Sequence, residues 1–137
     1  MIYELVGSLS SLDIDESKEL FADTETAGLY GKVVLVQFMQ AGWPKAKLVR
    51  NPNATELAFL IAKHHTVWHN MHYDLTTVSA HSALCIPARV DDTFLAARLA
   101  QPQYDEYSLD AGIARCIGFD PDKKFGLDKA VLQKSDW

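Results

Sequence analysis

Short apolar segments separated by polar or glycine-containing turns run along the chain. The segment 2–6 predicts an edge strand followed by a Ser/Asp-rich connection, and the segments between residues 19 and 49 follow one another through short turns, which predicts an antiparallel meander of strands. After it, each β-prone segment is followed by one with helical apolar spacing, which is typical of βα units. The predicted strands are 2–6, 19–24, 32–40, 46–49, 66–68 and 89–91, and the predicted helices are 53–63, 73–83, 93–99, 108–118 and 127–133.

Two carboxylates stand two residues apart at the end of the second predicted strand, in Asp23-Thr24-Glu25. Side chains at i and i+2 of a strand share one face, so Asp23 and Glu25 project together while Thr24 points away. Adjacent carboxylates repel each other unless a cation lies between them, and Mg²⁺ and Mn²⁺ prefer oxygen ligands. The pair therefore predicts a metal site, the alternative being a solvated acidic pair at a strand end.

A third carboxylate, Asp74, stands in or near the first turn of the helix predicted after strand 66–68. The helix dipole favours a carboxylate at this position. Residues 90–93 repeat the order of strand, acid and helix start. A strand end and a helix start that both offer acids predict an open site at the rim of an α/β sheet.

These acids lie in three segments whose order and spacing resemble the DEDD superfamily of 3′→5′ exonucleases. The spacing also resembles that of the proofreading domain of family A DNA polymerases, and residues 127–137 resemble the approach to the last motif of RNase D-like members. The resemblance implies an α/β RNase H-like fold, a mixed five- to six-stranded sheet flanked by helices, with the C-terminal helix missing. The segments are Asp23-Thr24-Glu25-Thr26 followed by Leu29, His69-Asn70-x-x-Tyr73-Asp74-Leu75, and Asp92-Thr93-x-Leu95-Ala96-Ala97.

The resemblance assigns the three carboxylates to two divalent cations, Mg²⁺ or Mn²⁺, at the scissile phosphate. Asp23 would bridge both ions, Glu25 would hold the ion that activates water, and Asp74 would serve the ion at the leaving group. The family's fourth carboxylate belongs to a Tyr-x-x-x-Asp or His-x-x-x-x-Asp motif. Neither pattern occurs between Phe94 and Trp137, so we expect an incomplete site.

The resemblance also implies contacts with the substrate. Thr26 and Leu29 match positions near the terminal nucleotide, with Leu29 as an apolar wedge against the base. Asn70 and Tyr73 match positions that contact the phosphate and the penultimate nucleotide. Stacking and phosphate contacts suit an enzyme that accepts any terminal base. The alternative for Leu29 and Tyr73 is packing in the hydrophobic core.

The function implied is a metal-dependent 3′→5′ exonuclease that releases nucleoside monophosphates from a single-stranded 3′ end. The proofreading-type spacing favours DNA over RNA, and an RNase D-type exoribonuclease is the first alternative. The second alternative is a catalytically inactive binding or accessory module. In that case a longer parent protein such as a polymerase, or a second chain, would complete the site.

Composition is that of an ordinary globular domain, with 48% apolar and 23% charged residues among 137, which predicts one domain, 1–137. The net charge of −5 argues against a broad basic surface for nucleic acid, although bound dications would supply local positive potential. No apolar run approaches the ~20 residues of a membrane span, and the N-terminus lacks signal-peptide features. Cys85 and Cys116 stand in apolar settings and predict buried reduced thiols, so we expect a cytoplasmic protein.

Five histidines offer a rival metal site, because His65, His69 and His72, with His64 and Asp74 nearby, have spacing that zinc could use. The interpretation preferred for His69 and His72 is a strand-to-helix turn that frames the site. Among the remaining acids, Asp92 is interpreted as a helix-start residue. Four others are interpreted as caps or solvated charges, namely Asp91, Asp110, Asp128 and Asp136.

Overall fold

The computed structural model describes residues 3–82 and 85–118. Every strand and helix predicted within these residues is present. The predicted helix 127–133 lies outside the described residues. The strands are β1 (Tyr3–Val6), β2 (Leu20–Thr26), β3 (Val33–Gln40), β4 (Ala46–Arg50), β5 (His65–Trp68) and β6 (Arg89–Asp92), and the helices are α1 (Ala54–Lys63), α2 (Met71–Ala80), α3 (Thr93–Ala100) and α4 (Leu109–Ile117).

The strands form one mixed sheet in the order β1-β4-β3-β2-β5-β6. β2, β3 and β4 are antiparallel neighbours, which confirms the predicted meander. β1 pairs parallel with β4, while β5 and β6 continue parallel from β2. Because β2 and β5 are parallel, their carboxyl ends meet at one edge of the sheet. Asp23, Glu25 and the start of α2 all lie towards this edge.

A single hydrophobic core joins the sheet to α1 and α2. α1 begins after Asn53, whose Oδ1 accepts hydrogen bonds from the backbone N–H groups of Thr55 and Glu56 at 2.9 and 3.1 Å. Its buried positions recur at helical spacing, and α2 buries Thr77 and Val78. The most deeply buried apolar side chains of the core are Leu20, Val36, Phe38, Val49, Leu57, Ile61, Trp68 and Val78.

The chain falls into two compact units, Met1–Thr93 and Phe94–Trp137, so one domain over 1–137 stays a prediction. In the second unit, Ser108 caps α4 through a hydrogen bond from Ala111 N to its Oγ at 3.3 Å. The helix ends at Gly118, whose φ of 67° is the left-handed conformation that glycine adopts without strain.

Both cysteines are free thiols, but only one of them is buried. Cys85 is buried as predicted, whereas Cys116 is exposed because it lies on α4, which buries none of its side chains. The prediction for Cys116 is therefore wrong. None of the helices in the described part of the chain is long and apolar enough to cross a membrane.

Candidate active site

Strand alternation places the first two carboxylates of the site on one face of β2. Leu20 and Thr24 are buried on one face, while Asp23 and Glu25 are exposed on the other. Gln37, which is opposite Asp23 on β3, donates a hydrogen bond from Nε2 to Asp23 Oδ2 at 3.1 Å. Asp23 is therefore held in place while remaining accessible to a ligand.

The third carboxylate, Asp74, comes from the first turn of α2 and is only 4% exposed. Thr24 points away from Asp23 and Glu25, as predicted, and this orientation brings it to Asp74. Asp74 Oδ1 accepts hydrogen bonds from Thr24 N at 3.1 Å and from Thr24 Oγ1 at 2.6 Å. Thr24 thus fixes the carboxylate of α2 against the strand that carries the other two. The sequence did not predict this role of Thr24, although strand alternation placed its side chain on the face of β2 opposite to Asp23 and Glu25.

The negative charges of Glu25 and Asp74 act on Asp23 and disfavour its ionisation. Partial desolvation, together with the negative charges of Asp74 and Glu25, raises the pKa of Asp23 from 3.8 to about 6. Burial also raises the pKa of Asp74, and the hydrogen bonds from Thr24 partly oppose this. A divalent cation would relieve this repulsion.

The donor set fits such a cation in its chemistry but does not form a ready-made cage. Carboxylate oxygens are ligands that Mg²⁺ and Mn²⁺ prefer. Within residues 3–82 and 85–118, however, no three His, Cys, Asp or Glu side chains already cluster to hold a metal ion. Asp23, Glu25 and Asp74 would therefore have to adjust around the ion, or receive a further ligand, to complete its coordination.

Asp92 directly precedes α3, and its carboxylate also binds the start of α2. Its Oδ1 accepts a hydrogen bond from Asn70 N and its Oδ2 one from Met71 N, both at 3.0 Å, at the start of α2. The position of Asp92 directly before α3 agrees with its interpretation as a helix-start residue. The parallel pairing of β5 and β6 places Asp92 opposite Trp68, directly before the turn into α2.

The four predicted substrate-binding residues lie around the same edge of the sheet. Thr26 Oγ1 and the Tyr73 hydroxyl are 2.7 Å apart, which joins the end of β2 to the first turn of α2. Leu29 is 80% exposed in the β2–β3 turn, so packing in the core does not apply to it. The side chain of Asn70 is exposed, and its backbone has the left-handed conformation, with φ of 67°. Tyr73 is half-buried, with its ring centroid 5.3 Å from that of Tyr30.

The histidines make separate contacts rather than a zinc centre. His65 Nε2 lies 2.7 Å from Asp91 Oδ2 across β5 and β6. His69 Nδ1 lies 2.9 Å from Thr93 Oγ1 beside the turn into α2, in keeping with its interpretation as a turn residue. No three candidate ligands cluster among the described residues, which removes support for the zinc alternative.

Two of the four acids interpreted as caps or solvated charges, Asp91 and Asp110, lie in the described residues. Asp91 is exposed and bonded to His65, so it is not a helix cap. Asp110 lies in the first turn of α4, where Ser108 provides the cap. Asp128 and Asp136 lie outside the described residues.

Comparison with known proteins gives structural neighbours only. No protein-family model matches the chain, and no curated protein shows significant similarity to it. Brucella melitensis NrnC bound to pGG is 20% identical with a TM-score of 0.66, covering 86% of this chain and 60% of NrnC, and NrnC is also solved with bound Mg²⁺. The Trypanosoma brucei RNase D:GMP complex is 13% identical with a TM-score of 0.70, covering 96% of this chain and 46% of RNase D.

Escherichia coli RNase D, an exoribonuclease involved in structured RNA processing, is 15% identical with a TM-score of 0.67. That alignment covers 93% of this chain and 36% of RNase D, so the chain spans less than two thirds of the length of each of the three proteins. The mixed six-stranded sheet with its helices matches the RNase H-like architecture of these structures. The chain therefore has the α/β RNase H-like fold that its sequence resemblance predicted.

Proposed function

We propose that this chain is a metal-dependent 3′→5′ exonuclease domain that hydrolyses single-stranded nucleic acid to nucleoside monophosphates. One observation carries the proposal: Asp23 and Glu25 project from one face of β2, and Thr24 between them binds Asp74 of α2. The charges of Asp74 and Glu25 contribute to the raised pKa of Asp23. Such an arrangement costs stability and is typical of a functional site.

Asp23, Glu25 and Asp74 would hold Mg²⁺ or Mn²⁺, with two ions in a complete site. The bound ions would supply a hydroxide near neutral pH and stabilise the leaving 3′ oxygen. The chain's own contribution is to present Asp23 and Glu25 to solvent and to fix the donors behind them. Gln37 orients Asp23, and Thr24 orients Asp74. The Mg²⁺-bound structure of NrnC supports the use of a divalent ion.

RNA becomes the favoured substrate over DNA. The sequence spacing favoured a proofreading-type DNA exonuclease, but two of the neighbours are RNase D proteins, and one of these is named as an exoribonuclease. The neighbours bound to pGG and to GMP support binding of a nucleic acid end and of a nucleoside monophosphate product. Discrimination would depend on contact with the 2′-hydroxyl of the terminal nucleotides.

A second candidate is a binding or accessory module completed by a partner. It is supported by the absence of the Tyr-x-x-x-Asp and His-x-x-x-x-Asp motifs between Phe94 and Trp137. The lack of a three-ligand cluster among residues 3–82 and 85–118 points the same way. A partner would then supply the fourth carboxylate.

A nuclease assay with 3′- and 5′-labelled single strands, in matched DNA and RNA forms, tests both candidates. We expect Mn²⁺- or Mg²⁺-dependent shortening from the 3′ end, and a loss of about 100-fold or more in Glu25→Gln. Glu4→Gln is the matched control, because Glu4 is an exposed strand carboxylate on β1, at the far edge of the sheet. Binding of the oligonucleotide without cleavage would support the accessory module. A protein that neither binds nor cleaves the oligonucleotide would refute both candidates.

A further inference from the structure

The turn between β2 and β3 is fixed in one tight conformation. Gly28 has a φ of 80°, which glycine adopts without strain. A Cβ on Gly31 would lie 1.9 Å from the carbonyl oxygen of Ala27, so only glycine fits there. Gly31 N also donates a hydrogen bond to Gly28 O at 3.1 Å. The side chains at the tip of this turn are therefore presented on a rigid support.

Hydrogen-bond geometry assigns the proton of the Tyr73 hydroxyl. Thr26 Oγ1 lies 2.7 Å from Gly28 O, and because a carbonyl only accepts, Thr26 donates its single hydroxyl proton there. Thr26 Oγ1 must then accept from Tyr73, whose hydroxyl is 2.7 Å away. Tyr73 is thus a donor to the turn and has no proton left to donate to a phosphate. It positions the turn against α2.

Tyr30 is the aromatic residue that this arrangement holds at the surface. Its backbone is left-handed, with φ of 55°, a conformation that a bulky residue adopts at a cost and that Asn or Gly adopts more easily. His81 Nε2 donates to Tyr30 O at 3.2 Å, and the Tyr73 ring lies 5.3 Å away at 35°. Tyr30 is nevertheless 47% exposed. Two anchors hold the residue while much of its side chain remains in solvent.

The ring of Tyr30 packs against Tyr73, and Tyr73 is hydrogen-bonded to Thr26, so it is connected to both segments that carry the carboxylates. Thr26 directly follows Glu25, and Tyr73 directly precedes Asp74. Leu29, the neighbour of Tyr30 in the turn, is 80% exposed. An exposed apolar side chain and an exposed ring beside a phosphate-directed site offer the two contacts that a planar nucleobase prefers.

We propose that Tyr30 stacks on the nucleobase at the 3′ end of a single strand, with Tyr73 as its positioning residue. The proposal rests on the proposed function, because the base would be held there while its phosphate lies at the carboxylates. Stacking on an aromatic face accepts any base and is stronger for the larger purine rings. We therefore expect tighter binding of strands that end in a purine than of strands that end in a pyrimidine.

Tyr30→Asn and Tyr30→Phe distinguish the effect of the aromatic ring on binding from the effect of the left-handed backbone at this position. Asn tolerates the left-handed region and lacks a ring, whereas Phe keeps the ring and loses only the hydroxyl. The probe is a five-nucleotide single strand with 2-aminopurine at its 3′ end, in DNA and RNA forms. Binding is followed by fluorescence quenching and anisotropy in Ca²⁺, and strand integrity is checked on a gel. A second strand with an abasic 3′ terminus removes the base but keeps the phosphates.

The expected result is that wild type and Tyr30→Phe quench the terminal 2-aminopurine, whereas Tyr30→Asn does not and binds about tenfold more weakly. With the abasic strand, wild type and Tyr30→Asn should bind equally. Equal binding of the 2-aminopurine strand by wild type and Tyr30→Asn, or the same loss with both strands, would overturn the stacking role and leave the proposed function standing. If wild type binds neither strand, both proposals fail.

Discussion

The carboxylate of Asp92 receives the backbone N–H of Met71 at 3.0 Å, so the end of β6 supports the start of a helix 21 residues earlier in the chain. A second hydrogen bond from Asn70 N, also 3.0 Å long, completes the contact. That helix, α2, carries both Tyr73 and Asp74 in its first turn. Asp92 thus supports the helix that carries Asp74. None of the hydrogen bonds described above joins it directly to Asp23, Glu25 or Asp74.

Asp92→Ala should lower the free energy of unfolding by about 1–2 kcal/mol, because two N–H groups at the start of α2 lose their acceptor. Urea denaturation measures the change. Asp91→Ala is the matched control: the carboxylate of Asp91 is exposed and bonded to His65 on the neighbouring strand β5, so the loss should stay below about 1 kcal/mol. Equal losses in the two variants would contradict the supporting role of Asp92.

Thr24→Val tests the hydrogen bond from the Thr24 hydroxyl to Asp74, because valine keeps the β-branched shape and lacks the hydroxyl. The change removes the 2.6 Å hydrogen bond from Thr24 Oγ1 to a buried carboxylate, so we expect a loss of roughly 1–3 kcal/mol in the free energy of unfolding at pH 7–8. It should also raise the pKa of Asp74 further, since a hydrogen bond that favours the charged form is lost. Carboxyl titration by NMR measures this shift.

Thr77→Val supplies the control for that experiment. Thr77 is fully buried in α2, and its Oγ1 has no hydrogen-bond partner among the described residues. Replacing an unsatisfied buried hydroxyl with a methyl group should leave stability unchanged or raise it by about 1 kcal/mol. A comparable loss in both variants would mean that Thr24 acts through packing and not through its hydroxyl.

The sequence predicted the elements and the carboxylates but not the contacts that hold the carboxylates. Strand alternation placed Asp23 and Glu25 together, and helical spacing placed Asp74 at a helix start, because both patterns are local. Thr24 and Asp92 act on partners 50 and 21 or 22 residues away. Those partners are set by the parallel pairing of β2, β5 and β6, which local periodicity does not specify.

The raised pKa of Asp23 predicts how the stability of the metal-free protein depends on pH. The folded protein takes up a proton at Asp23 near pH 6, whereas an unfolded aspartate does so near 3.8. Between these values the folded state binds more protons, so its stability should fall as the pH rises from about 4 to about 6. Solvent reaches Asp23 and screens the effect, which we expect to be about 1 kcal/mol or less.

Asp23→Asn isolates this contribution in metal-free buffer. The variant cannot ionise, so the part of the stability decrease between about pH 4 and pH 6 that belongs to Asp23 should disappear. Its melting temperature above pH 7 should be equal to or higher than that of wild type, since repulsion with Asp74 and Glu25 is relieved. A clear destabilisation of Asp23→Asn at pH 8 would instead assign Asp23 a structural role.

A divalent cation should reverse the cost of assembling the three carboxylates. An ion that binds only the folded state stabilises it by RT ln(1 + [L]/Kd), or about 2.7 kcal/mol at one hundred times Kd. We expect Mn²⁺ to raise the melting temperature of wild type and of Glu4→Gln by the same amount, and that of Glu25→Gln by clearly less. The shift should grow with pH through the range where Asp23 loses its proton, because metal and proton compete for the same carboxylate. A shift that is equal in all three proteins would place the ion elsewhere on the molecule and would remove the metal site from β2.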